Sequence, residues 1–282
     1  MPKITDLTPA AAQVRTFDRE RFVTALFASE SSREDLMVLY AFNVELSRIR
    51  ESVTEPVAGL IRLQWWRDTL AAAVDGQSID HHHPVAGALA GLLLRYGLGA
   101  DLFEAMLEAR EADLAPDGPA DMAAAEAYAA QTAGVLARIA LLLLGERGEG
   151  AAEAARQMGI AWGLLGHVRA LGAHLSMGRL TIPLDVLAEA GTDADAVRAG
   201  RAPLPALCRS ARIMAEAARG HLAMARRERV GRQALAAMLP AVLADGHLRV
   251  LARAGWNPFD ARVQTPQPQP LRLAWASLRG RF

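Results

Sequence analysis

Apolar residues recur along the chain in steps of three and four, the spacing that lines one face of a helix. Between Leu36 and Val53 the stripe Leu39, Phe42, Leu46, Ile49, Val53 keeps that rhythm. Pro56 cannot continue a helical ladder, so the pattern predicts a helix over 33–53 with one buried face. A second is predicted over 57–74, around Trp65-Trp66-Arg67. Asp80 offers an N-cap and Pro84 a first-turn residue for a third. Others are predicted near 99–113, 121–145, 149–175, 204–228 and 231–254. The period-two alternation of a half-buried strand is nearly absent, so the expected fold class is all-α.

The breaks between these segments are short: Pro116-Asp117-Gly118-Pro119, Gly145 to Gly150, and the region of Pro183. None has the composition of an interdomain linker, and no internal repeat is visible. One domain is therefore expected over 1–282, with an N-terminal arm at about 1–16 and a C-terminal arm at about 256–282. In the latter, Pro and Gln alternate from Val263 to Pro270, which predicts an extended stretch before a short amphipathic end at Leu271 to Leu278.

Composition narrows the function classes. Lys+Arg and Asp+Glu both number 31 in 282 residues, so the basic excess of a nucleic-acid binder is missing. Cys208 is the single cysteine, which excludes an intramolecular disulfide and fits a reducing compartment. The first residues lack a basic stretch followed by an apolar run, and the apolar run at Ile139 to Leu144 is far below the ~20 residues that cross a bilayer. The expected location is the cytoplasm, in solution or in peripheral contact with the inner face of the membrane.

Two segments carry a family resemblance. Leu39-Tyr40-Ala41-Phe42, followed by a charged helix, resembles squalene/phytoene synthases, where such a run leads into an Asp-x-x-x-Asp motif. Gly159 to Pro183, GIAWGLLGHVRALGAHLSMGRLTIP, aligns without gaps to the family's second motif helix. Gly159, Ala161, Arg169, Gly172, Gly178, Arg179 and Pro183 fit there. His83-Pro84-Val85 and Tyr128 to Gly134 are weaker matches. The resemblance implies an isoprenoid-synthase-type helical bundle around a central cavity. It also implies two facing acidic helices that clamp Mg²⁺ on a prenyl diphosphate, since a hard cation takes oxygen ligands.

The chain departs from that chemistry at the motifs themselves. The first motif's aspartates correspond to Ser47 and Glu51, and the adjacent acid to Arg48. The second motif's three acids correspond to Ala170, Ala173 and His174, and its upstream Gln and Asn to Gly163 and Gly166. No catalytic residue, resident metal or cofactor is therefore expected; Mg²⁺ enters only under the rival reading of an active head-to-head prenyltransferase. A narrower resemblance accounts for the losses. Ala41 to Leu46, Ile49 to Glu55 and Arg62 to Trp66 are similar to the synthase-like assembly factors of mitochondrial complex I, a branch that also lacks the aspartate motifs. This implies complex I subunits or other assembly factors as partners. An isoprenoid or lipid is a further candidate, with Tyr40, Asn43, Ser47, Gly163, Gly166, Arg169, Ala170 and Arg179 as candidate contacts.

Each candidate has a plainer reading beside it. Glu51 is a residual ligand or an ordinary surface carboxylate. His167 and His174 share one helix side, yet metal ligation takes three or four partners. His81-His82-His83 is a metal-binding run or a solvated helix start. Glu104, Glu108 and Glu111 form an acidic site or a solvated face. Gly159, Gly163, Gly166, Ala170 and Ala173 line a retained apolar cavity or a close helix contact. Arg48, Arg169 and Arg179 meet an anionic head group or make internal ion pairs. Leu271 to Phe282 docks on a partner, on a membrane surface, or on its own domain.

Overall fold

The computed structural model describes residues 7–77, 79, 83–266 and 269–282. Among these, every regular element is helical. Helices α1 (Pro9–Phe17) and α2 (Arg19–Ala25) lead into α3 (Glu30–Ser47), α4 (Pro56–Val74), α5 (Ala86–Tyr96) and α6 (Asp101–Glu111). α7 (Met122–Ala129) continues through a π-helical turn (Ala130–Gly134) into α8 (Val135–Leu143). α9 (Glu149–Arg169) is followed by α10 (Leu171–Ser176), α11 (Leu184–Glu189), α12 (Ala194–Arg198) and α13 (Leu204–Ala225). α14 (Leu235–Met238), α15 (Pro240–Arg253), α16 (Ala261–Gln264) and α17 (Pro270–Arg279) come last.

α3 is the central rod. Every residue from Asp35 to Val44 is buried, so this helix buries all its faces and not the one that the stripe predicts. Phe42 sets the register, edge-on to Trp66 of α4 at 4.9 Å and to Phe103 of α6 at 5.6 Å. Asp35 is a buried carboxylate that accepts from Arg95 and from the Tyr96 hydroxyl, both at 2.6 Å, fastening α5 to α3. The helix stops at Ser47, short of the predicted Val53. Ser47 Oγ donates to the Val44 carbonyl at 3.0 Å, and a 3₁₀ turn over Arg50–Ser52 follows.

α9 is the second rod, packed against α13, against α7, the π turn and α8, and against α15. Its glycines explain the approach. A Cβ on Gly159 would lie 2.3 Å from the backbone N and Cα of Gly134, and one on Gly163 would lie 2.6 Å from the Ala129 Cβ. The small-residue face is thus a close contact at these two positions, whereas Gly166 has nothing within 4 Å of its missing Cβ. The approach narrows the interior. One cleft beside this contact, lined by Arg21, Tyr40, Leu136, Met158, Trp162 and Ala237, measures about 10 Å³. That holds about one water, against several hundred Å³ for a typical ligand pocket.

The ends differ in part from the expected arms. Pro9 to Phe17 is helical, Thr8 Oγ1 accepts from the Ala11 amide at 3.2 Å, and Ala10, Ala11 and Val14 lie in the core. At the C-terminus α16 carries the helix only to Gln264, Thr265 is extended as expected, residues 267–268 fall outside the described set, and α17 forms the expected amphipathic end. The third helix begins at Ala86, and Asp80, His81 and His82 lie outside the described residues. The stretch Arg232–Arg253 is long and apolar enough to cross a membrane by composition, yet 78% of its apolar window is buried in the bundle.

Candidate functional site

The motif positions do not converge. Ser47, Arg48 and Glu51 sit at the exposed end of α3. Arg48 pairs with Glu51 at 3.1 Å, both side chains more than 40% exposed, and stacks on Phe17 with its guanidinium 3.7 Å from the ring centre. On the other helix, Ala170 is the C-cap of α9, Ala173 is exposed, and only His174 turns inward. A divalent metal has no clamp here: one set of positions holds a single exposed, already paired carboxylate, and the other holds two alanines and an imidazole. Among the described residues no three carboxylate, imidazole or thiol groups come together. The residues present do not fit Mg²⁺, which takes oxygen ligands.

What the interior holds instead is a network around Asp113, just past α6. Its Oδ2 accepts from Arg110 Nη1 at 2.9 Å, and its Oδ1 accepts from the Tyr128 hydroxyl at 2.7 Å and from Arg179 Nη2 at 2.5 Å. Arg110 also donates to the Tyr128 oxygen at 2.8 Å and to Asn43 Oδ1 at 3.4 Å. Asp113, Asn43 and His167 are buried. The His167 ring lies 5.3 Å from the Tyr128 ring and 6.4 Å from that of His174. Segments far apart in sequence, from α3 to the turn after α10, are joined by one carboxylate.

The electrostatics follow from burial and two guanidinium groups. Burial alone would raise the Asp113 carboxyl, but the charges of Arg110 and Arg179 outweigh it and hold the group below the usual carboxylate range. Burial pushes Tyr128 up to about 12, so it stays a neutral donor. Burial, reinforced by Arg179, pushes His167 down to about 3 and His174 down to about 4, so both rings are neutral. Two cations against one anion leave a net positive charge. Arg110 Nε, His167 Nδ1 and His174 Nδ1 are buried without a hydrogen-bond partner among the described residues. Such a cluster attracts anions and repels metal cations.

Of the contacts expected from sequence, Asn43 and Arg179 join this network and His174 borders it. Tyr40 stands apart, buried beside Arg21 and raised to about 12 by that burial. Arg169 is committed elsewhere: it donates to Glu20 at 3.0 Å, whose second oxygen lies 2.8 Å from His247 Nε2, so α2, α9 and α15 are cross-linked. Glu104 and Glu111 pair with Arg67, each at 2.8 Å, and belong to a solvated face. Sequence reading missed Arg110 and Asp113. Their signal is an i, i+3 opposite-charge pair next to Leu114, where the apolar pattern of α6 runs out. Tyr128 was visible only within a weak match, and His167 only as half of a histidine pair.

The fold and register can be set beside known proteins. The squalene/phytoene synthase family model matches residues 14–269. A Rattus norvegicus protein named NADH dehydrogenase (ubiquinone) complex I, assembly factor 6 is 29% identical over 95% of this chain and 81% of its own length. The Bos taurus protein of that name is 33% identical over 61% of this chain, which spans about half, 51%, of that relative. In structure, squalene synthase HpnC from Alicyclobacillus acidocaldarius superposes with a TM-score of 0.77 at 20% identity, over 89% of this chain and 94% of that one, which shows the shared fold. A match over nearly the whole length, on the helices that carry the altered motifs, makes this chain a member of the squalene/phytoene synthase family.

Proposed function

We propose that this chain is a non-catalytic member of its family that acts from the cytoplasm as an assembly factor for respiratory complex I. The observation that carries the proposal is the state of the motif helices. The clamp positions hold Ser47, Glu51, Ala170, Ala173 and His174, and Asp113 answers the arginines that an anionic substrate would otherwise meet. The relatives named complex I assembly factor support the assembly role. The cleft beside α9, at about 10 Å³, is too small for a prenyl tail.

Two measurements test the two halves separately. Deleting the gene in its host lowers the amount of assembled complex I on native gels and the rate of membrane NADH oxidation, and the intact gene restores both; unchanged levels refute the assembly role. Purified protein given farnesyl diphosphate and Mg²⁺ releases no diphosphate. Metal-dependent release would overturn the non-catalytic reading and favour a prenyltransferase.

A further inference from the structure

α17 has two apolar sides. Leu273 is fully buried against Leu235, Leu239 and Leu243, and this contact fixes the helix on the bundle. The side chains of Arg226 and Arg232 hold its end, donating to the carbonyls of Phe282 at 2.9 Å and Leu278 at 3.0 Å. Leu271, Trp275 and Leu278 follow one another at i, i+4 and i+7, so they form one stripe on the side away from Leu273. They remain 85%, 58% and 70% exposed. Docking on the bundle needs only the Leu273 side.

The charge along this helix has one sign. From Ala261 to Phe282 the chain has no acidic residue, and Arg272, Arg279 and Arg281 accompany the stripe. The Arg279 guanidinium lies over the Trp275 ring at 4.5 Å. At the end of the helix a cleft of about 620 Å³ is lined by Arg226, Arg227, Arg229 and Arg281, with Glu228 its one acid.

We propose that this face docks the protein on an anionic phospholipid surface. Leu271, Trp275 and Leu278 enter the boundary between headgroups and acyl chains, and the arginines meet the phosphates. A tryptophan between leucines with arginines on the flank suits the depth of a bilayer interface, where the ring is half wet and half apolar.

The test is co-sedimentation of the full chain with vesicles of phosphatidylcholine, alone or mixed with phosphatidylglycerol. The protein sediments with the mixed vesicles, stays in solution with phosphatidylcholine alone, and is released by added salt. Leu271→Ser with Leu278→Ser weakens binding at least tenfold through lost apolar burial. Arg272→Ala and Arg279→Ala each weaken it about fivefold. All four side chains are exposed, and unfolding curves matching the wild type verify that the variants fold. Equal binding to neutral vesicles, no binding to anionic ones, or variants that bind like the wild type would overturn the proposal. A dimer in solution that the double serine variant dissolves, without vesicle binding, would assign the face to a second copy of the chain instead.

Discussion

Replacing Gly159 and Gly166 by alanine in turn tests whether α9 is pressed against the π turn. The two positions lie seven residues apart on one helix, so the substitution has the same intrinsic effect at both. Alanine gains about 1 kcal/mol over glycine inside a helix. At Gly166 nothing lies within 4 Å of the new methyl, so that gain is the whole effect. At Gly159 the methyl would sit 2.3 Å from two backbone atoms of Gly134 and 2.6 Å from the Ala133 carbonyl carbon. Ordinary carbon contacts are about 3.5–4.0 Å, so the rods must separate by roughly 1 Å or more. Backbone cannot rotate out of the way as a side chain can. Overpacking of this kind costs about 1–3 kcal/mol, and rigid neighbours put Gly159 at or above the upper end. The expected net loss is about 2 kcal/mol for Gly159→Ala, against a gain of up to about 1 kcal/mol for Gly166→Ala. At roughly 2 °C per kcal/mol for a chain of this size, the melting temperatures move about 4 °C down and 1–2 °C up. Thermal unfolding followed by far-UV circular dichroism, with urea unfolding beside it, reads both. Shifts of the same sign, or a Gly159→Ala protein as stable as the wild type, would refute the close contact.

Two further predictions concern the buried network. His167 and His174 titrate at about 3 and about 4 in the fold but near 6.5 when unfolded, so as pH falls below 6.5 the unfolded chain takes up protons that the folded one refuses. Stability therefore drops between pH 6.5 and 4, by about 1.4 kcal/mol per pH unit for each ring. The double variant His167→Gln, His174→Gln retains only the smaller acid sensitivity of His247, and an unchanged slope in urea unfolding at pH 7, 6 and 5 would contradict the assignment. Asp113→Asn strips the counter-charge from two buried arginines and costs about 3–5 kcal/mol, whereas Glu51→Gln, in an exposed pair, changes stability by about 1 kcal/mol at most. Equal effects of the two in chemical denaturation would show that Asp113 does not organise the interior.

How much of this was legible in the sequence depended on the length of the elements. The second predicted helix, Pro56–Val74, matched its prediction almost to the residue, because Pro56 opens it and Asp75-Gly76 closes it, and 19 residues between two such signals read as one helix. α1 and α2, of 9 and 7 residues, give the rhythm too few turns to declare itself, and their Pro and Asp boundaries read as a loop. α3 was found through one stripe, but a helix buried on every side cannot be told from a one-sided helix by that stripe alone. The π turn at Ala130–Gly134 has no spacing signature, though it is what admits α9.

The candidate site shows the same division more sharply. Its losses were legible because Ser47, Ala170, Ala173 and His174 stand at fixed offsets within single helices. Its replacement was not, because Asn43, Arg110, Tyr128, His167 and Arg179, on four helices and the turn after α10, meet only once those elements have packed. No periodicity links residues 15 to 67 positions apart. Charge balance nevertheless constrains what the fold must do. Once Arg110 and Arg179 are enclosed by close-packed helices, they need an internal anion, since an unpaired buried charge costs several kcal/mol. Asp113 supplies it, and burial, reinforced by the charge of Arg179, keeps His167 and His174 neutral. Reinstalling the missing carboxylates would therefore not restore a metal clamp by itself. An acid at position 174 would border a cluster of two cations against one anion, while α9 stayed pressed to the π turn at Gly159 and to α7 at Gly163.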